Sequence, residues 1–328
     1  MYNSSKALLI GIDYFDSSDN YLPGCINDIH DVKKMLIEKY FYLPENIILL
    51  SDASDALPGT YPSRNTIITH LKNIVQTSNT CNEIWIHYSG HGTQIYDMTD
   101  ISAVDMSNNV FDLSNNLVKL LKDVIIPADY KTSNPITSTE IYTIIKNSKC
   151  NTLLFFDCCN SATICNLPWT FTYDISLNTY LVKQNNSNTI KNSNIYSFSG
   201  CKDNQTSEDV YDISNNQYNG IMTQTVIDCL KTNNYHCSLT KLYSDVCKMI
   251  YKKGYSQHPI VSSATNALTY NFINATIIKQ KTITLAAAKQ IIAAKNQASI
   301  NPITINNLNI NVRGNNMRNS KMNLFHTK

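Results

Sequence analysis

Residues 83–92 read EIWIHYSGHG, a short apolar run that ends in a polar Ser-Gly-His-Gly segment. Residues 152–162 read TLLFFDCCNSA, a second apolar run that ends in Asp, two cysteines and further polar residues. Apolar runs of this length, bounded by turn residues, predict buried β-strands. Ligands of open parallel sheets bind beyond the carboxyl ends of the strands, so the two polar ends predict a functional site.

The rest of the chain alternates between short apolar runs and amphipathic stretches. Further strands are predicted at residues 7–12, 46–50 and 194–198. Three helices are predicted to begin at the N-cap Asn27, after the capping residue Ser63, and at Thr137 or Ser138. Two more helices are predicted at residues 221–230 and 239–250. This alternation predicts an α/β fold with a mostly parallel central sheet flanked by helices.

Three regions interrupt the alternation. Residues 97–119 are polar and Asn-rich, which predicts a surface insertion, and residues 166–193 are polar, which predicts a mobile linker. From residue 275 onward the chain holds one Ala-rich amphipathic stretch and then an Asn-rich, basic segment. We expect this tail to be partly disordered.

Length and charge limit the classes of function. The chain has 328 residues, of which 43% are hydrophobic, enough for one large domain or two small ones. The formal net charge of +2 gives no electrostatic reason to expect nucleic acid or an anionic membrane as a partner. No run approaches the roughly 18 apolar residues that a spanning helix needs, and residues 7–12 are predicted to be a strand rather than a secretory signal.

The cysteine spacings and the absence of nucleotide-binding motifs further limit the possible classes of function. Ten cysteines are present without the spacings of a disulfide framework, so we expect reduced thiols and a cytoplasmic location. The absence of CxxC pairs and of Cys/His clusters argues against a zinc site. No GxGxxG or GxxxxGK[ST] follows a strand, which argues against a nucleotide-binding α/β protein.

A histidine and a cysteine stand at the two polar strand ends, although they are 68 positions apart in sequence. Taken alone, Cys159 would be read as a small core residue and His91 as a structural or exposed one. Together they indicate a nucleophilic site, because a thiolate needs a nearby imidazole to take its proton. Gly90 and Gly92 allow a sharp turn around His91, and Gly92 offers an N–H to an oxyanion.

Seven blocks of the chain, within residues 6–272, resemble successive blocks of the metacaspases, a family of caspase-like cysteine peptidases. In order they are ALLIGIDYF, LPGCINDIHDVKKML, IWIHYSGHG, IIPADY, LLFFDCCNSA, GCKDNQTSED and YSQHPIVSS. The resemblance implies a caspase-hemoglobinase fold of the type I class, without the prodomain common in that class. It also implies a large catalytic part (1–165), a linker (166–193), a small part (194–274) and a C-terminal tail (275–328).

The resemblance implies a catalytic dyad of His91 and Cys159. Cys158 is the competing thiol, but the family nucleophile directly precedes a His-Ser-Gly segment, and that position matches Cys159. The implied reaction is the cleavage of peptide bonds after Arg or Lys. The implied specificity residues are Asp28, Ser89 and Asp157. The carboxylates of the two aspartates would bind a cation by charge-assisted hydrogen bonds. Helix capping is the alternative reading for Asp28 alone.

Calcium activation and self-processing are two further properties that the resemblance suggests. Asp123 matches one calcium-binding position, but the acidic run expected after His91 is thinned, so calcium stays an open expectation; loop solubility would also explain these acidic residues. Self-cleavage is expected after Lys183 or Lys191 in the predicted linker. Ordinary solvated lysines are the alternative reading of both residues.

Two departures from the family pattern support a second hypothesis. Asn160 replaces the usual His, and Ala162 replaces the usual Gly, directly after Cys159. They motivate a weak or inactive caspase-like module that binds basic peptides or aggregates. The expected partners of the active enzyme are protein or peptide substrates with Arg or Lys at the cleavage site, without nucleic acid or membrane, and the expected state is a monomer.

Overall fold

The structure is a computed structural model that describes residues 4–96, 121–159, 161, 163–200, 209–212, 217–274 and 289–290. The chain divides into two compact units, Met1–Ile278 and Lys279–Lys328. Of the second unit only residues 289–290 are described, and they are helical. The predicted surface insertion and almost all of the predicted C-terminal tail therefore lie outside the described residues.

An eight-stranded sheet forms the centre of the first unit. Its strands, in spatial order, are β2 (Ile47–Ser51), β1 (Lys6–Gly11), β3 (Glu83–Ser89), β7 (Asn151–Asp157), β10 (Ile195–Ser199), β14 (Ile260–Ser263), β8 (Trp169–Asp174) and β9 (Thr179–Gln184). The first five strands pair in parallel, and the last three add antiparallel pairs at one edge.

In the part of the chain that the structure describes, three small sheets accompany the central one. They are formed by β4 (Gly92–Tyr96), β5 (Leu121–Ile125) and β6 (Ile136–Thr137); by β11 (Asp209–Asp212) and β12 (Gln217–Gly220); and by β13 (Cys237–Ser238) and β15 (Asn271–Phe272). The first of these sheets begins directly after the predicted histidine. It therefore starts at the edge of the central sheet where the site is expected.

Among the described residues, five α-helices cover the two faces of the central sheet. They are α1 (Cys25–Tyr40), α2 (Arg64–Gln76), α3 (Ser138–Ile145), α4 (Ile221–Thr232) and α5 (Leu239–Lys253). One core packs α1, α4 and α5 against one face, and a second core packs α2 and α3 against the other. Successive residues of β1 alternate between the two cores, as expected for a strand that is buried on both faces. Within the described ranges, no helix is long and apolar enough to span a bilayer.

Two local expectations were wrong. Helix α1 begins at Cys25 rather than after Asn27, whose side chain instead donates a hydrogen bond to the carbonyl oxygen of Tyr218 at 2.8 Å. Residues 166–193 do not form a structureless linker, because they contribute the hairpin of β8 and β9 to the edge of the central sheet. Five of the six side chains of β9 are solvent-exposed, including those of Leu181 and Val182, so this strand lacks the burial pattern that sequence analysis detects.

Candidate active site

The carboxyl ends of β3 and β7 lie side by side. The two strands pair in parallel with Ser89 opposite Asp157, and the N–H of Gly90 donates to the carbonyl oxygen of Asp157 at 3.3 Å. His91 and Cys159 each follow this pair by two residues. The parallel register therefore brings both residues to the same edge of the sheet, as the sequence analysis expected.

Gly92 lies directly against the backbone that carries Cys159. A Cβ at Gly92 would lie 2.3 Å from the carbonyl oxygen of Cys159 and 3.0 Å from Sγ of Cys158. Real Cβ atoms do not approach a backbone oxygen this closely, so only glycine fits. The φ angle of Gly92 is not positive, so this position requires glycine for the close approach rather than for a sharp turn. Its role as an oxyanion donor stays a prediction.

Gly92→Ala is expected to lower kcat/KM about a hundredfold, because the methyl group must displace the backbone that carries Cys159, and small misplacements of reacting groups are costly. Steady-state kinetics on a cleaved peptide measures the loss. Gly59→Ala is the control: Gly59 has a φ of +83° but no atom within 4 Å of an added Cβ. That variant should lose some stability and keep its activity. Equal activity in the two variants would contradict the close-packing argument.

The ring and the backbone of His91 are held by separate partners. Nε2 lies 2.8 Å from the carbonyl oxygen of Asn20, which only accepts hydrogen bonds, so Nε2 carries the proton of the neutral ring. The backbone N–H of His91 donates to the Tyr14 hydroxyl at 2.9 Å, and the Tyr88 hydroxyl donates to the carbonyl oxygen of His91 at 2.7 Å. Partial burial lowers the pKa of His91, and the hydrogen bond to Asn20 opposes this shift. The ring is therefore neutral at pH 7, with Nδ1 unprotonated.

The two adjacent cysteines differ in exposure. Cys158 is completely buried and belongs to the second core, whereas Cys159 is half-buried. The hydroxyl of Ser161 donates to the carbonyl oxygen of Cys158 at 3.0 Å and so stabilises the turn after β7. Of the two thiols, that of Cys159 is the more accessible to a substrate. Asn160 and Ala162 lie outside the described residues.

Asp28 is a fully buried carboxylate in the first turn of α1. Its Oδ2 accepts a hydrogen bond from the Ser89 hydroxyl at 2.6 Å, and its Oδ1 accepts one from the backbone N–H of Gly220 at 3.0 Å. The structure thus joins two of the predicted specificity residues by a direct hydrogen bond and adds a third group that sequence analysis did not identify.

Asp157 lies beside Asp28 at the N-terminus of α4. Its Oδ2 accepts hydrogen bonds from both the backbone N–H and the hydroxyl of Thr223, each at 2.8 Å. A Cβ at Gly220 would lie 2.2 Å from Oδ2 of Asp157 and 2.7 Å from Oδ2 of Asp28. The two carboxylates therefore meet around one point, and only a glycine fits there.

A second histidine, His87, lies behind Asp157 and was not predicted as a site residue. Its Nε2 is 3.2 Å from the hydroxyl oxygen of Thr223, and the side chain is almost completely buried. Burial lowers the pKa of His87 to about 3, so the ring is neutral at physiological pH. A polar residue within the apolar run EIWIHY was the available sequence signal.

His87→Phe is expected to reduce the acid sensitivity of the fold. Below pH 6.5 the unfolded wild type binds a proton at His87, whereas the folded wild type does not until about pH 3. Lowering the pH to 4.5 should therefore cost the wild type about 2–3 kcal/mol more unfolding free energy than the variant. Urea unfolding of both chains at pH 7.5 and 4.5 measures this difference. An identical pH dependence would contradict a buried neutral His87.

Three hydrogen-bond donors contact the carboxylate of Asp123, and its predicted calcium role stays a prediction. Its Oδ2 accepts hydrogen bonds from the backbone N–H and the hydroxyl of Thr163 at 3.0 and 2.5 Å, and its Oδ1 accepts one from the Gln94 amide at 2.9 Å. In the described ranges, no three His, Cys, Asp or Glu side chains are grouped as a metal site would require. The acidic residues of the 97–119 segment lie outside these ranges.

The two predicted self-cleavage sites differ in backbone structure. Lys183 is exposed, but it lies within β9 opposite Thr170 of β8. Lys191 is exposed in a bend that precedes β10. A peptidase binds its substrate as an accessible extended segment, so the segment at Lys191 is the easier of the two to engage.

A comparison with protein-family models matches residues 5–168 to the metacaspase, peptidase C14 domain. The chain belongs to the metacaspase family. Metacaspase-2 of Trypanosoma brucei brucei is 30% identical over 274 residues, which covers 79% of this chain and 73% of that protein. Metacaspase-2 of Arabidopsis thaliana is 28% identical over 239 residues, which covers 70% of this chain and 53% of that protein.

A solved structure is similar in fold. The protein GSU0716 from Geobacter sulfurreducens superposes with a TM-score of 0.52 at 18% sequence identity, and the match covers 81% of this chain and 97% of that one. The predicted α/β architecture, with a mostly parallel central sheet flanked by helices, is confirmed. As a metacaspase, the chain is a cysteine-type peptidase that acts on proteins or peptides.

Proposed function

We propose that this metacaspase is an endopeptidase that cleaves after Arg or Lys, with Cys159 as the nucleophile and His91 as the proton carrier. One observation carries the proposal. The parallel pair of Ser89 and Asp157 brings His91 and Cys159 to one sheet edge, and Gly92 packs against the carbonyl oxygen of Cys159. A thiol and an imidazole at one edge supply the two groups that acyl transfer through a cysteine requires.

In the first step, Nδ1 of His91 accepts the proton of Cys159 as the sulfur attacks the scissile carbonyl carbon. The Nε2–H of His91 remains bonded to the carbonyl oxygen of Asn20, which fixes the ring and stabilises the imidazolium that forms. His91 then protonates the leaving amine, and a thioester remains on Cys159. A water molecule, deprotonated by the same ring, hydrolyses the thioester. The N–H of Gly92 is our proposed donor to the oxyanion.

Asp28 and Asp157 are proposed to select the cationic side chain that precedes the cleaved bond. Both carboxylates are buried, and their Oδ2 atoms meet around Gly220. When both are ionised, they concentrate negative charge at one point, to which a guanidinium or ammonium group is complementary. The Ser89 hydroxyl, which donates to Asp28, holds this carboxylate in place.

A series of fluorogenic peptides that differ only in the residue before the cut tests the proposed function. The residues compared are Arg, Lys, citrulline and Asp, with calcium titrated in each case. We expect turnover after Arg and Lys, and turnover at least about a hundredfold slower after citrulline and Asp. Preferred cleavage after Asp would contradict the proposal. Binding of basic peptides without turnover would favour the non-catalytic module instead.

Self-processing and cellular setting extend the proposal. We expect self-cleavage after Lys191 in preference to Lys183, because Lys183 is held in the hairpin of β8 and β9. We propose a reducing, cytoplasmic setting, because the ten cysteines lack the spacings of a disulfide framework. We propose a monomer, as the family resemblance implies.

A further inference from the structure

Helix α4 is capped from outside its own sequence. Its N-cap residue is Gly220, which has no side chain with which to accept a hydrogen bond. The carboxylate of Asp157, on β7, instead accepts the N–H of Thr223 at the third helical position. This is the bond that an N-cap side chain would normally make. The proposed specificity carboxylate is thus built into the N-terminus of α4.

The hydrogen bonds that link His87, Thr223 and Asp157 have defined donors and acceptors. A threonine hydroxyl has one proton, and a carboxylate only accepts, so the Thr223 hydroxyl donates its proton to Oδ2 of Asp157. The same hydroxyl oxygen must therefore accept from Nε2–H of His87, which lies 3.2 Å away. His87, Thr223 and Asp157 form a directed chain that ends on one carboxylate oxygen.

The polar imidazole of His87 is buried among apolar side chains. It lies within the apolar strand β3, its ring stacks on Phe155, and it borders a small cavity with Trp85 and Met222. Within the described residues, its Nδ1 is buried and has no hydrogen-bond partner. An unsatisfied buried polar atom is destabilising, and a phenylalanine would fill the same space without it. The hydrogen bond to Thr223 is the contact that distinguishes histidine from phenylalanine at this position.

We infer that His87 and Thr223 are positioning residues that fix the rotation of the Asp157 carboxylate, and thereby set the preference of the site for a cationic side chain. Two donors from Thr223 on a single carboxylate oxygen prevent the group from turning about its χ2 axis. His87 holds the Thr223 hydroxyl in the orientation that this requires. The inference rests on the proposed function, because it deepens the role given there to Asp157.

The test compares two peptides, with Arg or its neutral isostere citrulline before the cut, in wild type and Thr223→Val. Valine has the shape of threonine but lacks the hydroxyl, so one donor to Asp157 and the acceptor for His87 are both lost. We expect the ratio of kcat/KM values, Arg over citrulline, to fall about tenfold, mainly through a higher KM for the Arg peptide. Thr223→Ser should restore the ratio. Thr225→Val, which changes another buried threonine of α4, should leave it unchanged.

His87→Phe separates positioning from stability. We expect this variant to melt at or above the wild-type temperature at pH 7.5, because it removes the unsatisfied Nδ1, and yet to lose Arg-over-citrulline preference. A structural role alone would lower the melting temperature and leave the ratio intact.

Failure of this inference is distinct from failure of the proposed function. A wild-type enzyme that prefers Arg, with the same preference in Thr223→Val and His87→Phe, overturns the positioning role alone. A wild-type enzyme without any Arg preference overturns the proposed specificity and this inference with it.

Discussion

Cys159→Ala is expected to reduce peptidase activity by at least about a thousandfold, because Cys159 carries the accessible thiol among the described residues at the ends of β3 and β7. Cys159 follows the Ser89–Asp157 pair at the edge of the sheet and is half-buried, so its thiol is open to a substrate. Removing one sulfur atom from a half-buried position should hardly change the fold. The measurement is fluorophore release from an Arg peptide, with the melting temperature recorded for the same sample.

The neighbouring thiol provides a matched control. Cys158 is completely buried, and its sulfur lies beneath Gly92. Cys158→Ala should therefore lower the melting temperature, as deletions in a packed core do, while substantial activity remains. The nucleophile assignment would be wrong if Cys158→Ala abolished turnover and Cys159→Ala kept wild-type turnover.

Asp28→Asn is expected to lower kcat/KM for the Arg peptide about a hundredfold. The substitution removes the carboxylate that would pair with the guanidinium of the substrate, and the loss of one partner from a buried charged pair costs several kcal/mol. The amide keeps the size of the carboxylate but not its charge. Turnover of the citrulline peptide should change much less, because that peptide brings no positive charge. Kinetics on both peptides, together with a melting curve, separates lost recognition from lost folding.

Asp31→Asn is the control for this substitution. Asp31 lies three residues further along α1, and its carboxylate accepts hydrogen bonds from Gln217 and Asn219 of β12. It therefore contacts the same strand as Asp28 without a described hydrogen bond to Ser89 or Gly220. We expect the Asp31 variant to remain within about twofold of wild type, because this half-buried carboxylate accepts its hydrogen bonds from Gln217 and Asn219 and not from Ser89 or Gly220. An equal loss of kcat/KM for the Arg peptide in both variants would mean that the general negative potential of this surface selects the substrate, rather than the buried carboxylates of Asp28 and Asp157.

Sequence analysis succeeded where the signal is local. Ser63 accepts the N–H of Thr66 at the start of α2, and Thr137 forms a capping box with Glu140 at the start of α3, both within one turn of sequence. The central strands could be predicted because they are apolar throughout, as buried parallel strands are. The strand-end rule then sufficed to bring His91 and Cys159 together.

The remaining features depend on contacts between distant parts of the chain. The partner of His91 is a backbone carbonyl 71 residues away, at Asn20, and a carbonyl leaves no trace in residue type. Thr223 meets Asp157 across 66 residues, so the external cap of α4 has no local motif. The hairpin of β8 and β9 escaped detection because the edge strand β9 is exposed on both faces, including its apolar Leu181 and Val182, so no burial pattern distinguishes it.

The most direct test of the proposed mechanism is covalent trapping of the nucleophile. The wild-type chain is incubated with a peptide chloromethyl ketone that ends in Arg, and the modified residue is located by tandem mass spectrometry. We expect a single adduct on the sulfur of Cys159, formed much more slowly in His91→Ala and after replacement of Arg by citrulline in the reagent. An adduct on Cys158 or another cysteine would contradict the account. Equal labelling rates with the Arg and citrulline reagents would contradict it as well.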